Sequence, residues 1–162
     1  MTAQHEERLN DFFVHIFNKI LAWEEQALSR VGSRDLSVKE LHVLEAVAEL
    51  TARASNTMTS VAEQLSVRVS TLTTAVNTLV RKGYLVREGL PGDRRVIRVL
   101  LTEKGEEANR LHSQFHTHMI QSAASQLTEM ELEVLLLSLS KLDRFFTGTL
   151  QDEHQAITER NP

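Results

Sequence analysis

The chain contains no cysteine, which excludes disulfides, thiolate metal sites and thiol redox sensing. No apolar run approaches the length of a membrane span, and the N-terminus, MTAQHEERLN, lacks the apolar core of a signal peptide. A cytoplasmic location is the expectation. Aromatic residues are scarce at 5%, so any cluster of them carries information. There is no Gly-rich phosphate loop, no HExxH pair and no nucleophile elbow, so the common enzyme signatures are missing. No internal repeat or low-complexity tract is present. An excess of positive charge is lacking too: Lys and Arg number 18 against 22 Asp and Glu, a formal net charge of −4. That total does not suggest a nucleic-acid partner.

The distribution of charge does. Between Arg68 and Arg98 stand seven basic residues (Arg68, Arg81, Lys82, Arg87, Arg94, Arg95, Arg98) and two acidic ones (Glu88, Asp93), a local balance of +5 that leaves −9 for the rest. A basic island in an acidic chain sets one face toward an anionic partner. The island begins with STLTTAVNTLVRK, residues 70–82. As a helix, this stretch gathers Leu72, Val76, Leu79 and Val80 on one side, with Val69 just before. Ser70, Thr71, Thr74, Asn77, Thr78 and Arg81 fall on the other. That face is short, hydroxyl- and amide-rich, and free of acidic residues. It can approach a polyanion and read donor and acceptor patterns on base edges. Thr is a mediocre helix former, so four of them in one helix ask for a reason.

The 162 residues fit one medium domain, or a small domain with helical extensions. Residues 6–31 are predicted to form one long helix with Leu9, Phe12, Phe13, Ile16, Phe17, Ile20, Trp23, Ala27, Leu28 and Val31 at three- and four-residue steps. That apolar stripe is too large for a lone helix and needs another element or another subunit. Gly32 ends it. Ser37 and Glu40 form a capping box for a second helix with Leu41, Leu44, Val47 and Ala48 inward. Residues 51–57 read as a loop, and Thr59 as the cap of a short helix over 60–65. The tight connection at 66–69 leads into the helix described above. Two short helices, a turn and a second helix with a polar outer face make a helix-turn-helix.

Gly83 sits where the helix end needs a left-handed residue. Two β-branched stretches, 84–88 and 96–101, are predicted strands, with 89–95 as a hairpin tip holding two Gly, one Pro and two Arg. This reads as a wing, whose Arg94 and Arg95 can enter a minor groove. Asp93 shapes the tip. Thr102 caps a helix to about residue 126 whose apolar stripe is Ala108, Leu111, Phe115 and Met119. Thr128 and Glu131 box the start of a leucine-rich last helix. The polar tail from Gln151 is expected to fray. The fold class is therefore mainly α with a small β wing. A winged helix-turn-helix over 36–101 is flanked by long dimerisation helices over 1–35 and 102–150, with a flexible tail over 151–162. A two-fold dimer would set two such helices about one DNA turn apart. Within this reading Thr71, Thr74 and Asn77 face bases, while Ser70, Thr78 and Arg81 hold phosphates.

The runs VSTLTTAVNTLVRKGYLVRE at 69–88, DRR at 93–95 and LTEKG at 101–105 resemble the MarR family of bacterial transcription regulators, over about residues 9–148. The resemblance implies a DNA-binding dimer, not an enzyme, on a pseudo-palindromic operator. It implies a repressor in most cases, with an effector bound between the DNA-binding lobe and the dimer helices. The family's wing Asp and Arg correspond to Asp93 and Arg95. Within the family, the IFNKIL–EE run at 16–25, LSVKELHVLE at 36–45 and RLHSQFHTHMI at 110–120 are most similar to the fatty-acid-synthesis repressors of Gram-positive bacteria. That similarity implies acyl-acyl carrier protein as a partner and effector, with Phe13, Phe17, His42 and Phe115 as acyl-pocket residues. Plain core packing is the alternative for the phenylalanines.

His112 and His116, four apart on one helix face, can put both imidazoles on one metal. By resemblance to the zinc-sensing regulators of metal uptake in the same family, Glu24, His42, His112 and His116 would form a zinc site. A polar network is the alternative, and the second histidine cluster of those sensors is absent, since the fifth helix holds only His112, His116 and His118. His5, His15 and His154 read as solvated surface residues. Two other classes remain in view. One is a zinc hydrolase built on Glu24 and the histidines. The other is a helical scaffold using the last helix, which leaves the basic wing unexplained.

Overall fold

Helical spacing interrupted once by β-branched stretches gives six helices and one hairpin among the described residues of this computed structural model. The elements are α1 (Ala3–Arg30), α2 (Val38–Ala52), α3 (Met58–Gln64), α4 (Val69–Arg81), β1 (Leu85–Leu90), β2 (Asp93–Leu101), α5 (Glu103–Ala124) and α6 (Glu129–Glu159). The structure describes residues 2–30, 35–90 and 93–159, without the side chains of 29, 30, 90, 93–95 and 149–159. Gly32, expected to end the first helix, lies outside the described residues. The chain divides into two units, residues 1–116 and 117–162.

The core of the first unit is formed by α2, α3, α4 and the hairpin. Leu44, Val47, Val61, Leu72, Val76, Leu79, Leu85 and Val99 are fully buried there, each contributing roughly 1.5–3 kcal/mol of apolar transfer. The expected capping box starts α2: Ser37 N–H donates to Glu40 Oε2 at 2.8 Å and Glu40 N–H to Ser37 Oγ at 3.3 Å. Three local expectations are corrected. First, α2 continues through Ala52, so the 51–57 connection is shorter than predicted. Second, Thr57, not Thr59, caps α3, its Oγ1 accepting from Ser60 N–H at 3.2 Å. Starting the helix there brings Met58 onto the core. Third, Val69 and Val80 are exposed. The buried stripe of α4 is narrower than its apolar content, because Leu72, Val76 and Leu79 already fill the groove.

The helix-turn-helix connection holds Ser66 at φ +53°, and the end of α2 holds Ala54 at φ +53°. Helix α4 ends as predicted, with Gly83 at φ +80°. Tyr84 N–H donates to Leu79 O at 2.9 Å and Gly83 N–H to Val80 O at 3.0 Å, the paired bonds of a Schellman motif. The LTEKG run then clamps this junction to α5. Thr102 Oγ1 donates to Gly83 O at 2.7 Å, Thr102 N–H donates to Tyr84 O at 3.0 Å, and Lys104 Nζ donates to Lys82 O at 3.0 Å while lying 3.9 Å from the Tyr84 ring centroid. A Cβ on Gly105 would collide with the Tyr84 carbonyl oxygen. This run, one of the three that carry the family resemblance, is thus a structural clamp between the end of α4, the start of β1 and α5.

The wing is an antiparallel pair with Leu85 opposite Leu101, Arg87 opposite Val99 and Gly89 opposite Ile97, and an irregularity at Gly89/Leu90 that brings Leu90 opposite Asp93. Its strands run farther than predicted: the backbone is already strand at Asp93–Arg95, where the sequence suggests a tip over 89–95. Pro91 and Gly92 lie outside the described residues. A bridge from Thr57 to Arg98 adds a third backbone segment to the sheet. Buried Asn56 fixes it, donating from Nδ2 to Val99 O at 2.7 Å and accepting at its own carbonyl from Val99 N–H at 3.0 Å.

The second unit holds the end of α5 and α6. The Thr128/Glu131 box is formed, with Thr128 N–H donating to Glu131 Oε2 at 2.8 Å and Glu131 N–H to Thr128 Oγ1 at 3.3 Å. The backbone of α6 remains helical from Gln151 to Glu159, where the sequence suggests a frayed tail. That segment contains neither Gly nor Pro, and its Gln, Glu and Ala residues favour helix. No helix among the described residues is long and apolar enough to cross a membrane.

Candidate nucleic-acid interface and metal centre

The outward face of α4 is the one that the sequence singles out. Ser70, Thr71, Thr74, Asn77 and Arg81 are exposed, and Thr78 is half-buried. Threonine hydroxyls on this helix turn their protons inward. Thr73 Oγ1 donates to Val69 O at 2.7 Å, Thr78 Oγ1 to Thr74 O at 3.2 Å and Thr74 Oγ1 to Ser70 O at 3.4 Å. What Thr74 presents outward is therefore acceptor lone pairs and a methyl group. Such a face can accept from base amino groups and pack on thymine methyls.

The basic island is not uniformly available. Lys82 is engaged within the fold: its Nζ donates to Glu40 Oε1 at 2.7 Å, to Glu40 Oε2 at 2.9 Å and to the Asp35 carbonyl. Burial alone would raise the Glu40 carboxyl, but hydrogen bonds from Lys82 and from Ser37 outweigh it and hold it below the usual carboxylate range. The Tyr84 hydroxyl, donating to Asp35 Oδ1 at 2.8 Å, similarly lowers Asp35. Arg98 Nη2 donates to Ala54 O at 3.1 Å. Arg87 Nη1 donates to Asn77 Oδ1 at 2.7 Å. Arg68 and Arg81 remain exposed at the two ends of α4. Asp93, Arg94 and Arg95 have strand backbone, and their side chains lie outside the described residues. Sequence reasoning missed the Arg87–Asn77 contact. Its signal was strand alternation, since Arg87 shares a face with buried Leu85 and so points toward α4.

A second cluster lies where α1, α2 and α5 meet. Glu24 is only 4% exposed, His112 6%, and His42 and His116 are half-buried. His116 Nε2 is 3.0 Å from Glu24 Oε1, His42 Nε2 is 3.7 Å from the same oxygen, and the Nε2 atoms of His112 and His116 are 3.0 Å apart. One ligating atom from each of the four lies within 4.8 Å of the others. Burial first, then the neighbouring His116 and His42 imidazoles, push the His112 pKa down to about 4, so its ring is neutral and able to ligate.

The donor set fits a tetrahedral divalent ion. Ligands about 2.0–2.1 Å from zinc sit roughly 3.3 Å from one another, and the separations above bracket that. His112 meets the cluster through Nε2, while its buried Nδ1 has no hydrogen-bond partner.

The residues expected to line an acyl pocket separate into two groups. Phe115 packs edge-on against Trp23 at 5.7 Å and against His116 at 5.5 Å between ring centroids. With Glu24, Leu28, Leu41 and His112 it lines a cavity of about 30 Å³, the share of one water. His42 adjoins it through His112, 5.6 Å between centroids. Phe13 and Phe17 stack on each other at 6.2 Å and line no part of that cavity.

Known proteins place this architecture. Residues 36–97 match the family described as the MarR family. The crystal structure of Streptococcus pneumoniae FabT in complex with DNA is similar at 32% identity and a TM-score of 0.78, covering 89% of this chain and 99% of that one. The S. aureus MepR–DNA complex shares the fold at 22% identity and a TM-score of 0.69, over 85% of this chain and 97% of that one. An uncharacterized HTH-type transcriptional regulator of Bacillus subtilis (strain 168), YpoP, is 26% identical over 129 residues, 80% of this chain and 89% of that protein.

Proposed function

The chain belongs to the MarR family of transcription regulators, and from that premise we propose that it binds double-stranded DNA as a two-fold dimer on a pseudo-palindromic operator and represses transcription there. One observation carries the reading: α4 exposes Ser70, Thr71, Thr74, Asn77 and Arg81 with no acidic residue on the helix, directly before an Arg-bearing hairpin. The likeness to FabT, a structure in complex with DNA, supports it. In this reading the α4 residues meet base edges and phosphates in the major groove, and the wing with Arg94 and Arg95 serves the adjacent minor groove.

The test is duplex affinity in a salt series on promoter fragments. Log affinity falls linearly with log salt, by about 0.9 for each phosphate neutralised. Arg95→Ala weakens binding roughly tenfold or more and flattens the slope by about 1. Absence of duplex binding across a promoter-rich pool, with zinc or acyl-acyl carrier protein added, contradicts the reading.

For the regulated genes and effector, the sequence runs at 16–25, 36–45 and 110–120 that resemble the fatty-acid-synthesis repressors support fatty-acid synthesis and acyl-acyl carrier protein, which would enter near Phe115. A second reading, zinc-responsive regulation of metal uptake, is favoured by the converging Glu24, His42, His112 and His116 donors. These four would hold the ion. A bound zinc would supply the positive charge that their lone pairs converge on, and would tie α1, α2 and α5 at one point. Metal analysis of protein purified without chelator separates the two. A stoichiometric metal that is lost in His112→Ala supports the zinc reading. A metal-free protein whose operator affinity rises with acyl-acyl carrier protein supports the lipid reading.

A further inference from the structure

Asn77 is placed to meet DNA, yet it does not face outward as a free amide. Its Oδ1 accepts from Arg87 Nη1 at 2.7 Å, a short charge-assisted bond from an exposed strand residue to an exposed helix residue. The origin of the bond is well fixed. The Arg87 backbone pairs with Val99, Val99 is fully buried, and Asn56 holds its carbonyl at 2.7 Å. Leu85, two residues before Arg87 and on the same strand face, is buried in the core beside α4.

An unconstrained Asn offers a donor and an acceptor together and suits adenine, with N6–H₂ on its oxygen and N7 on its nitrogen. Here the guanidinium occupies the oxygen side, fixes which way the amide is turned, and leaves Nδ2 with its two protons facing away. The positive charge also polarises the amide and strengthens those donors. With one of the two oxygen lone pairs taken and the guanidinium crowding that side, Asn77 meets a base chiefly through Nδ2, which matches the guanine edge, where N7 and O6 are both acceptors.

We infer that Arg87 is a positioning residue that turns Asn77 into a dedicated amide donor, so that α4 selects guanine over adenine at one position of each operator half-site. This rests on the DNA-binding reading above. Arg87 sets the choice of base through Asn77, not through a base contact of its own.

The experiment is selection of bound duplexes from a randomised pool, run side by side on the parent, Asn77→Ala, Arg87→Ala and Arg87→Lys, with thermal melts as folding controls. In the parent, one position in each half-site favours guanine over adenine by roughly tenfold, within the range for a good base contact. Asn77→Ala flattens that position. Arg87→Ala flattens the same position and admits adenine there, leaving the remaining positions as in the parent. Arg87→Lys keeps a positive charge for phosphates but loses the planar fork, and it shows the same single-position change with overall affinity within about threefold of the parent.

Three results overturn the inference. One is a uniform loss of affinity in Arg87→Ala with every base preference intact and a salt slope reduced by about 1, the signature of a phosphate contact. Another is a change at a position other than the one flattened by Asn77→Ala. The third is a parent that selects no sequence, which overturns the DNA-binding reading and this inference with it.

Discussion

Two residues carry backbone strain that their side chains do not announce. Ala54 and Ser66 both sit at φ +53°, a region where an L-residue is disfavoured by about 1–2 kcal/mol. Gly83 at φ +80° was legible, because a glycine just past a helix is the expected cap. Ala54 and Ser66 were not, since neither residue type signals a left-handed turn. Ala54→Gly should therefore raise the unfolding free energy by about 0.5–1 kcal/mol, the relief of strain less the entropic cost of glycine, measured by denaturant unfolding. An unchanged or lowered stability contradicts the assignment of strain there. The same limit applies to Thr57 and Thr59. Both are acceptable caps, and the choice between them is decided by Met58 packing on the core, which spacing alone cannot reveal. The roles of Lys82 and Asn56 were equally hidden, because each depends on a partner more than 40 positions away in the chain.

At the scale of elements, the helices were read well because capping boxes and apolar periodicity are local signals. Ser37/Glu40 and Thr128/Glu131 are both formed. Strand ends and the last helical turns were read less well, since the wing extends through backbone pairing and α6 through propensity beyond its apolar stripe. The metal-type cluster was legible in part. The i, i+4 histidine pair is a spacing argument, but the approach of Glu24 and His42 to it came only from resemblance. The placement of α4 depends on α2 through the Glu40–Lys82 pair at 2.7 Å. Hydrogen bonds hold the Glu40 carboxyl below its ordinary value of 4.5 against the effect of burial. A depressed carboxylate stabilises the fold fully above its unfolded pKa, and that contribution is lost as pH falls through the folded one. Glu40→Gln should cost on the order of 1 kcal/mol at pH 7, and its gap to the parent should close as pH drops below 4.5. Unfolding curves at pH 7 and pH 4 check this; a gap that widens at acid pH contradicts it.

At the scale of the whole molecule, two surfaces explain what a single copy leaves unfinished. Helix α1 exposes Phe12, Phe17 and Trp23, and α6 exposes Leu136, Leu137 and Phe145. A monomer rarely leaves this much apolar surface open without using it for association. The proposed two-fold dimer would use it and would double α4, so that two half-sites would be read with the spacing of one DNA turn. The net charge of −4 hid this role, and only the local surplus of positive charge across α4 and the wing exposed it. The most direct measurement is nuclease protection on genomic promoter fragments with the parent and with Thr74→Glu, which places a carboxylate at the centre of the exposed α4 face. The account expects two symmetric protected half-sites centred about 10 base pairs apart, erased by Thr74→Glu while its melting temperature stays within a few degrees of the parent. Protection that survives Thr74→Glu unchanged, or no protected fragment at all, would contradict it.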